Sequence, residues 1–255
     1  MKLVSWNVNS LKVRMPRVLE LLEAHEPDIV FLQETKCEHD AFPVLELEAA
    51  GYRAAHHSGG RWAGVAILAR EEPNDVVAGL AGEPAIDEAR WIEATVGGLR
   101  VVSVYVPNGR APDTPTYEDK LRFLDAMAER IAQLSAGPLV VAGDFNVCPA
   151  DLDVYDPAAF VGSTHVTPPE RERFRALLDA GTVDAFRELH PDEPGFTWWD
   201  YRQGHFHRKM GLRIDAHLVS APLADRIEAC GIDRDFRKGP KPSDHAPLLL
   251  QLRSA

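Results

Sequence analysis

Apolar and polar positions follow two periods along this chain, and the two periods take turns. Short runs rich in Val, Ile and Leu at residues 2–7, 28–33, 64–69, 90–96, 100–106, 138–142, 213–219 and 247–252 read as strands. Residues 14–25, 117–134 and 169–180 carry apolar side chains at three- and four-residue spacing, the stripe of an amphipathic helix. Gly97-Gly98, between two of the strand runs, suits a hairpin with a primed turn, because glycine reaches positive φ at no steric cost. Strands joined by hairpins, together with strands separated by helices, imply mixed sheets. At 255 residues this predicts an α/β protein with two sheets packed face to face and helices outside. No linker or low-complexity stretch divides the chain, so a single domain spanning 1–255 is expected. Residues 149–169 lack periodicity and are rich in Asp and Pro, which predicts a long functional loop.

Polar residues gather where the apolar runs stop. Leu3-Val4-Ser5-Trp6 runs into Asn7-Val8-Asn9, and Ile29-Val30-Phe31-Leu32 into Gln33-Glu34-Thr35. The run ending at Tyr105 meets Val106-Pro107-Asn108-Gly109, and Leu139-Val140-Val141-Ala142 meets Gly143-Asp144-Phe145-Asn146. Leu212-Arg213-Ile214 leads into Asp215, and Ser243-Asp244-His245 precedes the last strand. Each residue has an ordinary structural reading. Asn7 could cap a turn, Glu34 could pair with Lys36, Tyr105 could be a core aromatic, and Asp215 could pair with Arg213. If the strand ends share one rim, however, all of them line a single polar cleft.

Composition changes this picture only slightly. Hydrophobic residues at 45% and charged residues at 26% are ordinary for a globular chain with a sizeable core. Three cysteines, Cys37, Cys148 and Cys230, form no zinc pattern and no disulfide framework, which suits a reducing cytosol. No signal peptide and no apolar run long enough to span a bilayer is present, so a soluble cytoplasmic protein with no membrane partner is expected. The net charge of −11 argues against a uniformly basic nucleic-acid binder. Basic residues still cluster locally: Arg171, Arg173 and Arg175; Arg202, Arg208, Lys209 and Arg213; Arg234, Arg237, Lys238 and Lys241.

Three carboxylates, from Glu34, Asp144 and either Asp244 or Asp215, together with amide oxygens form a hard oxygen site suited to Mg²⁺ or Mn²⁺. A hard cation beside one imidazole and several amides suits water attack at phosphorus. Neither a phosphate-binding glycine loop nor a kinase signature is present, so hydrolysis is favoured over nucleotide-driven phosphoryl transfer.

The strings Ser5-Trp6-Asn7-Val8-Asn9, Leu32-Gln33-Glu34-Thr35-Lys36, Tyr105-Val106-Pro107-Asn108-Gly109, Gly143-Asp144-Phe145-Asn146, Leu212-Arg213-Ile214-Asp215 and Ser243-Asp244-His245-Ala246-Pro247 resemble the endonuclease/exonuclease/phosphatase superfamily. Their order and spacing resemble its exonuclease III and abasic-endonuclease branch over nearly the whole chain. So do Thr167-Pro168-Pro169-Glu170-Arg171 and Phe196-Thr197-Trp198-Trp199-Asp200-Tyr201-Arg202. The resemblance implies a four-layer α/β sandwich, two mixed β-sheets flanked by helices, with the active site at one edge. It implies a Mg²⁺-dependent DNA-repair phosphodiesterase, an AP endonuclease, 3′–5′ exodeoxyribonuclease or 3′-phosphatase, with Mn²⁺ able to substitute, acting as a monomer on double-stranded DNA with abasic sites or blocked 3′ ends.

Carried over residue by residue, Glu34 would be the principal metal ligand, helped by Asn7 and Asp244. Asp144 would orient or deprotonate the attacking water, and Asn146 would hold it and a phosphate oxygen. Tyr105 and His245 would contact the scissile phosphate, with Asp215 fixing the His245 tautomer. Trp198, Leu212 and Ile214 match the walls of a pocket for a flipped-out abasic sugar. Arg110 and Arg202 match side chains that enter the DNA grooves. His165 is a departure from the small or polar residue expected in the DNA-facing loop, and its bulk could disfavour cutting at internal abasic sites. The alternatives are a superfamily hydrolase of RNA or of a small phosphoester, or a catalytically silent DNA-binding relative.

Overall fold

The central apolar runs are buried on both faces, which is why several of them read as almost continuous hydrophobic stretches. The computed structural model describes residues 1–84 and 88–254. Its strands are β1 (Lys2–Asn7), β2 (Ile29–Gln33), β3 (Arg53–His57), β4 (Val65–Ala69), β5 (Asn74–Ala78) and β6 (Trp91–Val96). They continue with β7 (Leu99–Tyr105), β8 (Leu139–Asp144), β9 (Thr182–Asp184), β10 (Asp215–Ser220), β11 (Ile227–Ile232) and β12 (Leu248–Leu252). The helices are α1 (Leu11–His25), α2 (Val44–Ala49), α3 (Pro115–Leu134), α4 (Pro168–Asp179), α5 (Ala185–Leu189) and α6 (Ala221–Ala224).

The strands form two six-stranded sheets, in the orders β11-β12-β1-β2-β4-β3 and β5-β6-β7-β8-β10-β9. Both follow one scheme. A parallel pair lies at the centre, β1 with β2 or β7 with β8, and antiparallel strands flank it on both sides. A parallel pair needs a long crossover, and α1 and α3 supply it.

Alternation along the strands sorts side chains into layers. Leu3, Ile29, Phe31, Ile67, Val101, Val140 and Leu248 fill the space between the sheets. Val4, Trp6, Val30 and Leu32 face outward against Val18 and Leu21 of α1. Val102, Val141 and Leu218 face outward against Phe123 and Met127 of α3 and Phe174 and Leu177 of α4. The result is the expected helix–sheet–sheet–helix sandwich.

The hairpin at Gly97-Gly98 forms as its sequence predicts, with φ of 56° and 79° and Val96 opposite Leu99. Several boundaries differ. The run at 138–142 continues to Asp144, the run at 213–219 becomes a strand only from Asp215, and the helix expected from residue 14 starts at Leu11. The 149–169 segment is irregular apart from two short 3-10 turns, Asp151–Asp153 and Pro157–Phe160, before α4 begins. The strands that periodicity missed are β3, β5, β9 and β11, which form all four sheet edges. Edge strands are kept short or polar to discourage further pairing. β5 is exposed throughout, and β9 has three residues.

Candidate active site

The carboxyl ends of the parallel strands open onto one rim, the usual ligand side of a sheet with crossover helices. Asn7 ends β1, Glu34 follows β2, Tyr105 ends β7 and Asp144 ends β8. Asp215 begins β10 directly opposite Asp144 in register, and Tyr105 is the partner of Asp144 on the other side. Gly143 lets β8 lie this close to β7: its φ is +156°, and a Cβ there would meet the Val104 carbonyl oxygen at 1.9 Å. Beyond the strands the chain reverses sharply. Glu34, Asn146 and His165 have φ of 53°, 51° and 79°, left-handed values that cost about 1–2 kcal/mol for a residue with a side chain. Backbone bonds hold the reversal at Glu34, whose carbonyl accepts the Ser10 N–H at 2.7 Å, while the Thr35 N–H donates to the Gly64 carbonyl at 3.1 Å.

The side chains form one connected network. Asn7 Nδ2 donates to Glu34 Oε1 at 2.7 Å and to Asp144 Oδ2 at 3.0 Å. Lys36 Nζ lies 2.7 Å from Glu34 Oε2, so the surface pairing considered for Glu34 exists within the site itself. Asp144 Oδ1 accepts the backbone N–H of Asn146 at 2.9 Å. Asn146 Nδ2 donates to the Val106 carbonyl at 2.9 Å, and its Oδ1 accepts from Asn108 at 3.3 Å. Ser243 explains its own motif: its hydroxyl donates to the Asn7 carbonyl at 2.6 Å and accepts the His245 N–H at 3.2 Å. Asp244 then faces away from Glu34, with Oδ1 accepting from Asn9 and Oδ2 from the Trp198 indole, both at 3.0 Å. Among the described residues, the potential ligand atoms of three or more His, Cys, Asp or Glu that lie within 4.8 Å of one another belong to Glu34, Asp144 and His245.

His245 is clasped by two carboxylates. Its Nδ1 is 2.8 Å from Asp215 Oδ2 and its Nε2 is 3.6 Å from Asp144 Oδ2. Burial works against the imidazolium, but Asp215 and then Asp144 outweigh it and raise the pKa to about 10. His245 therefore carries its charge throughout the neutral range. Replacing Asp215 by Asn removes the nearest anion and is expected to bring the His245 titration down towards the ordinary 6.5; ¹⁵N NMR of the imidazole between pH 6 and 10 checks it. An unmoved titration would mean that Asp215 does not hold the charge. Burial raises the Asp144 carboxyl to about 7, against the pull of His245 and helped by Asp215 and Glu34. Burial and the Glu34 and Asp144 carboxylates hold the Tyr105 hydroxyl well above its usual range, so it stays a proton donor. The Arg90 guanidinium sits 4.5 Å from the centre of the Tyr105 ring.

Two walls flank the network. On one side Leu212 and Ile214 are buried with Cys148 and Val154, edged by Tyr155, Phe160, Val166 and the half-buried Trp198. On the other a cleft of ≈ 570 Å³ runs past Tyr105, Asn108, Arg110, Arg90 and Trp62. Trp62, at 69% exposed, carried no sequence signal, because a lone aromatic in a glycine-rich loop matches neither period. His165 adjoins Asn146, with Nδ1 at 2.6 Å from its carbonyl, and Arg110 is exposed. Arg202 is also exposed and is paired with Asp200 at 2.5 Å.

The basic clusters are not a continuous face. Arg213 is buried and bound to Asp153 and Asp184, both at 2.6 Å, so it is not the partner of Asp215. Arg237 is buried against the Trp199 and Ser243 carbonyls. Asn9 and Ser243 carry no sequence signal of their own although they lie inside the quoted strings, and Asn108, which could have been a turn cap, belongs to the network through Asn146. Lys120 was hidden in a helical stripe.

A buried imidazolium, two inward carboxylates and several fixed amides around one point define a phosphoester hydrolase that activates water. The Endonuclease/Exonuclease/phosphatase family model matches residues 4–245, and the chain belongs to that family. It is 34% identical to exodeoxyribonuclease III of Haemophilus influenzae over 99% of this chain and 100% of that protein. It is 33% identical to the DNA repair nuclease APEX1 of Danio rerio over 99% of this chain and 82% of that one. Among solved structures, the 3′ phosphatase NExo from Neisseria, bound to a product DNA hairpin, superposes with a TM-score of 0.97 at 41% identity, covering 100% of both chains. An AP endonuclease from Archaeoglobus fulgidus gives 0.96 at 36%, also covering 100% of both. Among the described residues no helix is long and apolar enough to cross a membrane.

Proposed function

We propose that this chain is a divalent-cation-dependent DNA-repair phosphodiesterase, acting on double-stranded DNA with abasic sites or blocked 3′ ends. The observation that carries this reading is the convergence of Glu34, Asp144 and His245, with ligand atoms within 4.8 Å of one another, beside Asn7 and Tyr105. The DNA substrates in the names of the full-length relatives support the choice of polymer.

The donor set fits a hard cation: Glu34 and Asp144 supply carboxylate oxygens, the His245 imidazole stands beside them, and no thiolate is among them. Glu34 would be the principal holder of Mg²⁺, for which Mn²⁺ would substitute; Asp244, expected beside it, is turned instead to Asn9 and the Trp198 indole, and Asn7 presents its amide N–H to the carboxylates while its oxygen accepts from Asn9. When bound, the ion neutralises charge on the non-bridging oxygens of the phosphate. Asp144 accepts the proton of the attacking water, and Asn146 orients that water and one phosphate oxygen. Protonated His245, fixed by Asp215, donates to a phosphate oxygen, and the neutral Tyr105 hydroxyl donates to another. Half-buried Trp198 would face the sugar with the buried Leu212 and Ile214 packed behind it, and the exposed Arg110 and Arg202, the latter after releasing Asp200, would enter the grooves. A labelled duplex carrying an abasic analogue or a 3′ phosphate, incubated with Mg²⁺ or with chelator, tests the reading. It fails if neither substrate is cut when the cation is present.

His165 favours 3′ ends over internal sites. Its ring stands beside Asn146 and Asn108, on the side where a flipped sugar would need room. His165→Gly is expected to raise cutting at an internal abasic analogue by about tenfold while leaving 3′-phosphate removal within about threefold. Unchanged internal cutting would dispose of this role.

A further inference from the structure

Behind the cleft, several stretches of chain meet on one buried ammonium. Lys120 of α3 and Glu170 in the first turn of α4 are both 0% exposed. Lys120 Nζ donates to the Asn146 carbonyl at 2.6 Å, the Asn108 carbonyl at 3.2 Å, Thr164 Oγ1 at 3.1 Å, and Glu170 Oε1. An ammonium has three protons, so every donor is committed. Glu170 Oε1 also accepts the His165 N–H at 2.9 Å, and Oε2 accepts the Thr167 N–H at 3.0 Å, closing the capping box of α4. Gly109 lies against the lysine stem, where a Cβ would meet Lys120 Cδ at 2.9 Å.

A buried ion pair contributes little net stability compared with apolar groups of the same volume. Its placement gives it another use. The groups it binds are the backbones of Asn108, Asn146 and His165; the Asn108 side chain lines the cleft, and its Nδ2 lies 3.3 Å from Asn146 Oδ1 and 3.5 Å from His165 Nε2. The Asn146 carbonyl accepts from Lys120 and also faces His165 Nδ1 at 2.6 Å. A carbonyl only accepts, so the His165 proton sits on Nδ1 and its Nε2 lone pair faces Asn108 Nδ2 at 3.5 Å. We propose that the Lys120–Glu170 pair is the positioning element that sets Asn146 and His165 against the scissile phosphate and fixes the His165 tautomer, and thereby governs the choice between 3′ ends and internal sites. The specificity part rests on the nuclease reading above. Burial and the Lys120 charge also lower the His165 pKa to about 4, so the ring facing the substrate is neutral.

The test is the double variant Lys120→Met with Glu170→Met, which removes both charges together and so avoids stranding either one. At a temperature well below its melting transition, kcat for 3′-phosphate removal is expected to fall about tenfold with KM within about threefold. The ratio of internal to 3′-end cutting rises, and ¹⁵N NMR finds His165 in mixed tautomers where the wild type has the proton on Nδ1. A folded double variant with wild-type kcat and an unchanged tautomer overturns the proposal. If the wild type cuts no DNA, the substrate reading falls, and the NMR comparison alone decides for or against the clamp. If the double variant does not fold, Thr164→Val, which removes one acceptor and strands no charge, is expected to shift the tautomer in the same direction. An unaltered spectrum there counts against the proposal just as fully.

Discussion

Asp144→Asn is expected to lower kcat by roughly 10²-fold or more on a duplex with a 3′ phosphate or an abasic analogue. The amide keeps the shape of the side chain and the bond from the Asn146 N–H, so the site is retained while the proton acceptor is lost. Burial raises the Asp144 carboxyl to about 7 from 3.8, which makes the protonated form the one the fold prefers. The stability this lends is present at acid pH and is lost as pH rises through about 7. Asparagine stays neutral, so the variant should melt no lower than the wild type at pH 8. Calorimetry beside single-turnover kinetics separates lost chemistry from lost fold. In the wild type the rate should climb as pH rises through the neutral range, because only the ionised carboxylate takes the proton. Near-normal turnover in the variant would remove Asp144 from the water-activating role.

Glu34→Gln should be nearly as damaging, and in a different way. Its carboxylate oxygens are shared between Asn7 and Lys36, at 2.7 Å each, and it is the least buried member of the cluster. Removing its charge is expected to weaken metal affinity by about 10²-fold, so activity is low at ordinary Mg²⁺ and partly recovered at high Mg²⁺ or Mn²⁺. A metal titration of the rate, with binding calorimetry as a second readout, checks this. Superimposable titrations for wild type and variant would assign the cation to other residues.

How much of this was legible in the chain follows from what each signal measures. Central strands are apolar because they are covered on both sides, and β1, β2, β4, β7 and β8 were visible for that reason. Edges have little hydrophobic pattern to read: β3 is Arg-Ala-Ala-His-His, and β5 is exposed from end to end. The convergence of Asn7, Glu34, Tyr105, Asp144, Asp215 and His245 could be anticipated because every one of them sits at one end of an apolar run. The charged groups deep in the fold could not. Lys120 and Arg213 look like surface cations until the carboxylates of Glu170, Asp153 and Asp184, remote in sequence, are brought to them. Nor does a string of letters reveal that Asp244 turns to Asn9 and Trp198 instead of towards Glu34.

The two sheets divide the reactive groups between them. Asn7 and Glu34 belong to one, and Tyr105, Asp144 and Asp215 to the other, with Asn7 reaching across the seam to Asp144. The gap between these groups, proposed above to receive the phosphate, is therefore set by how tightly the two slabs are pressed together. Trimming a filler by a single methyl or two, as in Val140→Ala, should blunt cleavage in a variant that still folds, which makes turnover a gauge of the sandwich's grip.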